Sequence, residues 1–243
     1  MCGICGSNIL KEAFALYVEN LKRGTFASGF LAVGKDIDPL CIKQQDPFTL
    51  EQLESLCNGI EYDYFLFHGR APTNSNTPYS EETTHPFYKD GIYVAHNGII
   101  TNWKDIAEPR TLVDSEVILQ QILKKRDEQP PMEMGYALRD IFSNLQGLLT
   151  CWIYDQYNHD IWLIKGGSSL WYGKGNSKND AYADWFNFSS SEHKELAHKE
   201  SIMISQRYSN EWPCDLGIIF RIIPKLGVCP FTKFNYDNPY FIL

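Results

Sequence analysis

The sequence has little that would carry it across a membrane. Its longest apolar stretches, such as Gly147–Tyr154, are far too short to span a bilayer. Its start has neither a basic region nor an apolar targeting core. Positive charge is in deficit: 22 Lys and Arg stand against 30 Asp and Glu, a formal charge of −8. With no basic run to track a phosphate backbone, direct nucleic-acid binding is not expected. The cysteines, Cys2, Cys5, Cys41, Cys57, Cys151, Cys214 and Cys229, are odd in number and scattered. That argues against a disulfide framework and for reduced thiols in a cytoplasm. Internal repeats, low-complexity tracts and long linkers are missing as well. What remains is a chain of 243 residues, rich in Tyr, Phe and Trp, of a length that suits one large domain better than two.

Strand and helix patterns alternate along it. Ile9, Ala13, Phe14, Tyr17 and Leu21 recur at helical spacing. Phe26–Val33 and Tyr62–Phe67 read as strands, the second running into His68-Gly69-Arg70. Residues 71–84 are rich in Pro, Asn, Ser and Thr and read as loop. Ile92–Ala95 reads as a strand ending at His96-Asn97-Gly98, where Asn-Gly is a turn signal. Asp114 or Ser115 can cap a helix continuing through Leu123, and Pro130-Pro131 stops it. Leu148–Tyr154 and Ile161–Lys165 form a strand pair, with shorter strands near Leu170–Tyr172 and Trp185–Phe188. Many strands with few helices imply packed sheets flanked by helices. Beyond about Ser201 the pattern is vague, and the aromatic tail Phe231–Leu243 reads as a last strand or a docking segment.

Candidate chemistry begins at Cys2. Cysteine in second position permits trimming of Met1, which would put a thiol and a free α-amine on one residue. An α-amine with a pKa near 8 is partly neutral at physiological pH and can take the thiol's proton. The plainer reading is that Cys2 and Cys5 form a C-x-x-C, half of a zinc site, but no second pair follows at suitable spacing. Arg70, at a strand end, offers a planar fork for a carboxylate. Asn97 and the Gly98 N–H can aim two donors at one oxygen, or can be only a hairpin turn. His68 and His96 fit hydrogen-bonded core histidines as well as site residues. Asp114 can cap its helix or meet an ammonium group.

Taken in order, these segments resemble the glutaminase domain of class II glutamine amidotransferases. Cys2-Gly3-Ile4, Arg23-Gly24 with Ser28-Gly29, and His68-Gly69-Arg70-Ala71-Pro72-Thr73 are similar to successive family motifs. So are His85-Pro86-Phe87-Tyr88, the run from Ala95 to Asn102, and Asp114-Ser115-Glu116-Val117. Leu170-Trp171-Tyr172-Gly173 and Ser189-Ser190-Ser191-Glu192 are weaker matches. The resemblance implies an α+β fold, a four-layer αββα sandwich with two antiparallel sheets of the N-terminal-nucleophile hydrolase type. It implies Cys2 as nucleophile with its own α-amine as base, and Asn97 and Gly98 as the oxyanion hole. It assigns Arg70, Thr73, His96 and Asp114 to the substrate L-glutamine, with no metal or other cofactor. The implied reaction passes through a Cys2 thioester to glutamate and ammonia. With no room for a synthase domain after it, the chain is expected to supply a separate ammonia-accepting partner from a single glutaminase-like domain over 1–243, with 201–243 as an extension. A γ-glutamyl amide hydrolase with another substrate, suggested by Ala71 beside Arg70, and a non-catalytic amino-acid-sensing subunit stay open beside it.

Overall fold

A computed structural model describes residues 2–71, 79–111, 113–128, 130–168, 170–176, 184–189, 202–203, 216–223 and 227–236. Thr73, Cys214 and the last residues of the aromatic tail lie outside them.

In chain order, strand β1 (Gly3–Ser7) leads into helix α1 (Leu10–Asn20), whose Ala13, Leu16, Tyr17 and Asn20 share one buried face. Strands β2 (Ala27–Gly34) and β3 (Ile37–Gln44) form a hairpin. Helix α2 (Leu50–Leu56) starts where the Thr49 hydroxyl accepts from the Gln52 N–H. Strand β4 (Tyr64–Arg70) follows, then β5 (Phe87–Lys89) and β6 (Ile92–Ile100). Helices α3 (Trp103–Ile106), α4 (Glu116–Glu128) and α5 (Met134–Phe142) come next. Strands β7 (Gly147–Asp155), β8 (Asp160–Lys165), β9 (Trp171–Asn176), β10 (Asp184–Ser189), β11 (Ile202–Met203), β12 (Leu216–Ile223) and β13 (Gly227–Asn235) complete the described chain.

The strands form two antiparallel sheets among the described residues. One runs β11-β9-β10-β1-β4-β2-β3, the other β13-β12-β8-β7-β6-β5. Three apolar clusters mark the interfaces of four layers. Between the sheets lie Ile4, Leu66, Tyr93, Ala95, Trp152 and Leu163. Outside the first sheet, Phe30, Phe65 and Phe67 pack on α1 and α2 through Tyr17 and Leu53. Outside the second, Val94, Cys151 and Ile153 meet α4 and α5 through Ile118, Ile122, Leu138 and Phe142. This is the αββα sandwich the resemblance implied. Because strand side chains alternate with period two, each cluster also records which way a strand residue faces.

One sequence expectation is corrected and one open alternative is decided. His96-Asn97-Gly98 is not a turn: β6 runs through it to Ile100, pairing Asn97 with Thr150 and Gly98 with Leu149 of β7. Nine paired residues outweigh the local Asn-Gly preference, and a Cβ on Gly98 would sit 1.8 Å from the Leu148 carbonyl oxygen. In the C-terminal stretch the last-strand alternative is the one observed: residues 231–235 belong to β13. Phe231 packs edge-on against Trp162 at 5.1 Å, Phe234 packs on Phe142, and the Tyr236 hydroxyl donates to the Gly147 carbonyl. Strands β12 and β13 are integral to the second sheet. No helix among the described residues is long and apolar enough to cross a membrane.

Candidate active site

The alternation of β1 decides what its two cysteines can do. Ile4 faces the space between the sheets and Cys5 faces the helices, so Cys2 shares the Ile4 side. Two residues three apart on a strand point to opposite faces, and Cys2 and Cys5 cannot ligate one metal. No cluster of three or more His, Cys, Asp or Glu suited to a metal occurs among the described residues.

The same rule places Arg70 beside Cys2. In β4, Tyr64 and Leu66 face the inter-sheet core, and His68 and Arg70 continue that row. In β6, Tyr93 and Ala95 face it, and Asn97 continues their row. The His68 Nε2–H donates to the His96 carbonyl across the gap at 3.2 Å, joining the two sheets at this end.

Cys2 is half-buried, with its Sγ 3.8 Å from the Ala71 carbonyl oxygen and its own carbonyl accepting from Arg23 Nε at 3.0 Å. Burial pushes the thiol's pKa up, against the opposing pull of the Ala71 contact and of Arg70, while Asp114 adds to the rise. Arg70 and Asp114 are thus both near enough to bias this sulfur. A thiol held protonated needs a base before it can attack.

Arg70 is buried, and its guanidinium makes no ion pair with a carboxylate among the described residues. Its Nη1 donates to Thr83 Oγ1 at 3.0 Å, and its Cζ lies 5.2 Å from the centre of the Phe26 ring. Burying a cation without a counter-charge is expensive, a cost that a bound anion would offset. Asn97 is fully buried, yet neither Nδ2 nor Oδ1 has a partner among the described residues. Each unmet group costs about 1–3 kcal/mol, as much as burying a Val or Leu side chain contributes. A donor kept at that cost on the inter-sheet face would be free to meet a developing oxyanion.

Asp114 Oδ2 accepts from the Ile100 N–H at 2.6 Å, at the end of the strand that carries Asn97. The carboxylate is therefore used across the structure, not on the first turn of α4 as a cap. His96 is the corrected member of the predicted set. It faces the helices, opposite to Asn97, and both ring nitrogens are engaged. Its Nε2–H donates to the Leu148 carbonyl and its Nδ1 accepts from the Ser115 hydroxyl, both at 2.8 Å. It ties β6 to β7 and to the residue after Asp114, and it cannot reach a substrate between the sheets. Thr73 lies outside the described residues. The structure thus gathers Cys2, Arg70, Asn97, Gly98 and Asp114 at one end of the sandwich.

Sequence reasoning assigned no role to Arg23 or Thr83. Arg23 was visible only as part of an Arg-Gly pair. The glycine explains the pair: a Cβ on Gly24 would lie 2.4 Å from the Ala71 nitrogen, so only glycine lets this turn lie against the end of β4. Thr83 carried no signal at all in its loop.

No family model matches the chain. It is 26% identical over 200 residues to glutamine–fructose-6-phosphate aminotransferase (isomerizing) of Francisella tularensis subsp. tularensis, covering 76% of this chain and 32% of that protein. The enzyme of the same name from Acinetobacter baylyi is 24% identical over 207 residues, covering 76% and 31%. The chain spans about a third of the length of these curated relatives. Among solved structures, glutamine phosphoribosylpyrophosphate amidotransferase from B. subtilis aligns at TM-score 0.62 and 14% identity, covering 97% of this chain and 49% of that one. The allosteric regulatory enzyme of purine biosynthesis aligns at 0.65 and 15%, covering 98% and 50%. A glutamine aminotransferase class-II domain protein from Silicibacter pomeroyi aligns at 0.52 and 13%, covering 98% of this chain and all of that one.

Fold and sequence likeness point to one class: the chain is similar in sequence to glutamine-dependent aminotransferases and shares its two-sheet sandwich with solved glutamine amidotransferases. The curated proteins it resembles are glutamine-dependent aminotransferases.

Proposed function

We propose that this domain hydrolyses L-glutamine to glutamate and ammonia through Cys2. With Met1 removed, the Cys2 α-amine takes the thiol proton and the sulfur attacks the side-chain amide carbon. The Asn97 Nδ2 and the Gly98 N–H receive the oxyanion, Arg70 takes the α-carboxylate, and Asp114 takes the α-ammonium. Collapse of the tetrahedral adduct expels ammonia, which leaves with the proton the amine received. Water then cleaves the thioester to free glutamate and restore the thiol. The observation that carries this reading is the buried amide of Asn97, without a partner among the described residues, on the inter-sheet face that also carries Arg70, which has no carboxylate partner among them. The ammonia is delivered to an accepting enzyme, since ammonia released into water at neutral pH is protonated and lost as a nucleophile.

The test is intact-mass analysis of the purified chain before and after a glutamine-shaped diazo-ketone, with glutamate release assayed in parallel. Loss of Met1, one adduct on Cys2 and glutamate formation are expected. A trimmed chain that neither takes the label at Cys2 nor releases glutamate overturns the proposal.

A further inference from the structure

The guanidinium of Arg70 reaches Thr83, which belongs to a tightly cross-bonded loop rather than to either sheet. Thr83 Oγ1 accepts from Arg70 Nη1 at 3.0 Å, and its own proton goes to Ser80, whose carbonyl lies at 3.2 Å and whose Oγ lies at 3.0 Å. The Thr83 N–H donates back to Ser80 Oγ at 3.2 Å, and the Thr84 hydroxyl donates to the Ser80 carbonyl at 2.8 Å. Lys43 on the edge strand β3 donates to the Glu81 carbonyl at 3.1 Å, anchoring the loop from outside. The hydroxyl therefore has a fixed direction: one lone pair meets Arg70, and the proton is spent on Ser80.

We propose that Thr83 is a positioning residue, which aims the Arg70 fork and so sets how tightly the site holds a substrate bearing an α-carboxylate. The inference rests on the proposed reading that Arg70 binds that carboxylate. A guanidinium is planar, and its pairing with a carboxylate depends on orientation. The Phe26 ring bounds one face of the group, and Thr83 fixes its rotation within the remaining space. Thr83 itself does not touch the substrate. Thr83→Val keeps the shape and removes the acceptor, while Thr83→Ser keeps the acceptor.

Steady-state kinetics on L-glutamine and on its α-amide, in which the carboxylate is capped, test this. For Thr83→Val, KM for L-glutamine rises about tenfold with kcat within about twofold, the order expected for one hydrogen bond to a charged group. The α-amide, poorly used by the native chain, changes little, and Thr83→Ser restores the native KM. An unchanged KM, an equal loss on both substrates, or a fall in kcat alone overturns the proposal. Calorimetric titration of L-glutamine into the Cys2→Ala chain, with and without Thr83→Val, needs no turnover. Thr83-dependent binding in a chain with no native turnover sinks the hydrolase reading and keeps the positioning role. Native turnover with Thr83-independent binding does the reverse, and absence of both binding and turnover overturns both.

Discussion

His68 donates from Nε2 to the backbone carbonyl of His96, 3.2 Å away on the other sheet, one residue before the amide of Asn97. The candidate active site is therefore framed by a cross-sheet bond whose donor must be a neutral imidazole in one tautomer. Burial holds the His68 pKa down to about 3, and the pKa values of His85 and His96 are likewise lowered by burial. All three are neutral in the fold.

This fixes a pH dependence of stability. A histidine whose folded pKa lies below its unfolded value of 6.5 binds fewer protons folded than unfolded. Its stabilising contribution is complete above about pH 6.5 and drains as pH falls toward its folded pKa. Each such imidazole removes up to about 1.4 kcal/mol per pH unit within that window. Thermal melting followed by circular dichroism should show the midpoint falling steadily from pH 7 to pH 5. His68→Asn, even if less stable throughout, should flatten that slope. An identical slope in the variant contradicts the assignment.

Asn97→Ala should separate activity from stability. If Asn97 is the proposed oxyanion donor, its loss should lower kcat by about 10²–10³-fold, with KM for L-glutamine little altered. Because the native amide has no partner among the described residues, its removal should leave the melting temperature unchanged or raised. A large drop in stability with activity retained would show that the amide is structural.

Asp114→Asn tests charge against shape. The asparagine oxygen can still accept from the Ile100 N–H, so the strand end should hold. If Asp114 takes the substrate ammonium as proposed, the loss of its charge should raise KM about 10–100-fold, as for one buried charge-assisted contact. Kinetics beside a denaturant titration check this: a collapse in unfolding midpoint with KM unchanged would reverse the roles.

Gly98→Ala should fail for a steric reason, with the new methyl carbon placed 1.8 Å from the Leu148 carbonyl oxygen. Relief requires the β6–β7 ladder to part, a loss of about 3 kcal/mol, or roughly 10 °C in a domain of this size. Differential scanning fluorimetry of the soluble fraction measures it.

The elements α1, β4 and β8 were open to the sequence because they announce themselves by apolar spacing, whereas the four-layer order came only from the resemblance. The site was open to it only as a set of residue types. Whether Cys2, Arg70 and Asn97 share one face depends on register across three strands, and that follows only from pairing. His96 shows the limit: adjacent to Asn97, it lies on the other face, and no local pattern says which neighbour looks inward. The tail stayed ambiguous because Phe231, Phe234 and Tyr236 cover a core whose other half is α5, a helix preceded by Pro130 and Pro131 and carrying Gly135, residues that mask its helical spacing.

Strand β6 presents Asn97 to one side and His96 to the other through a single thickness of backbone. A proton captured on the helix side therefore disturbs the side that carries the proposed site. In an activity profile, protonation of the Cys2 α-amine would set the first acidic step near its own pKa, and a further loss at lower pH would track the opening of this seam.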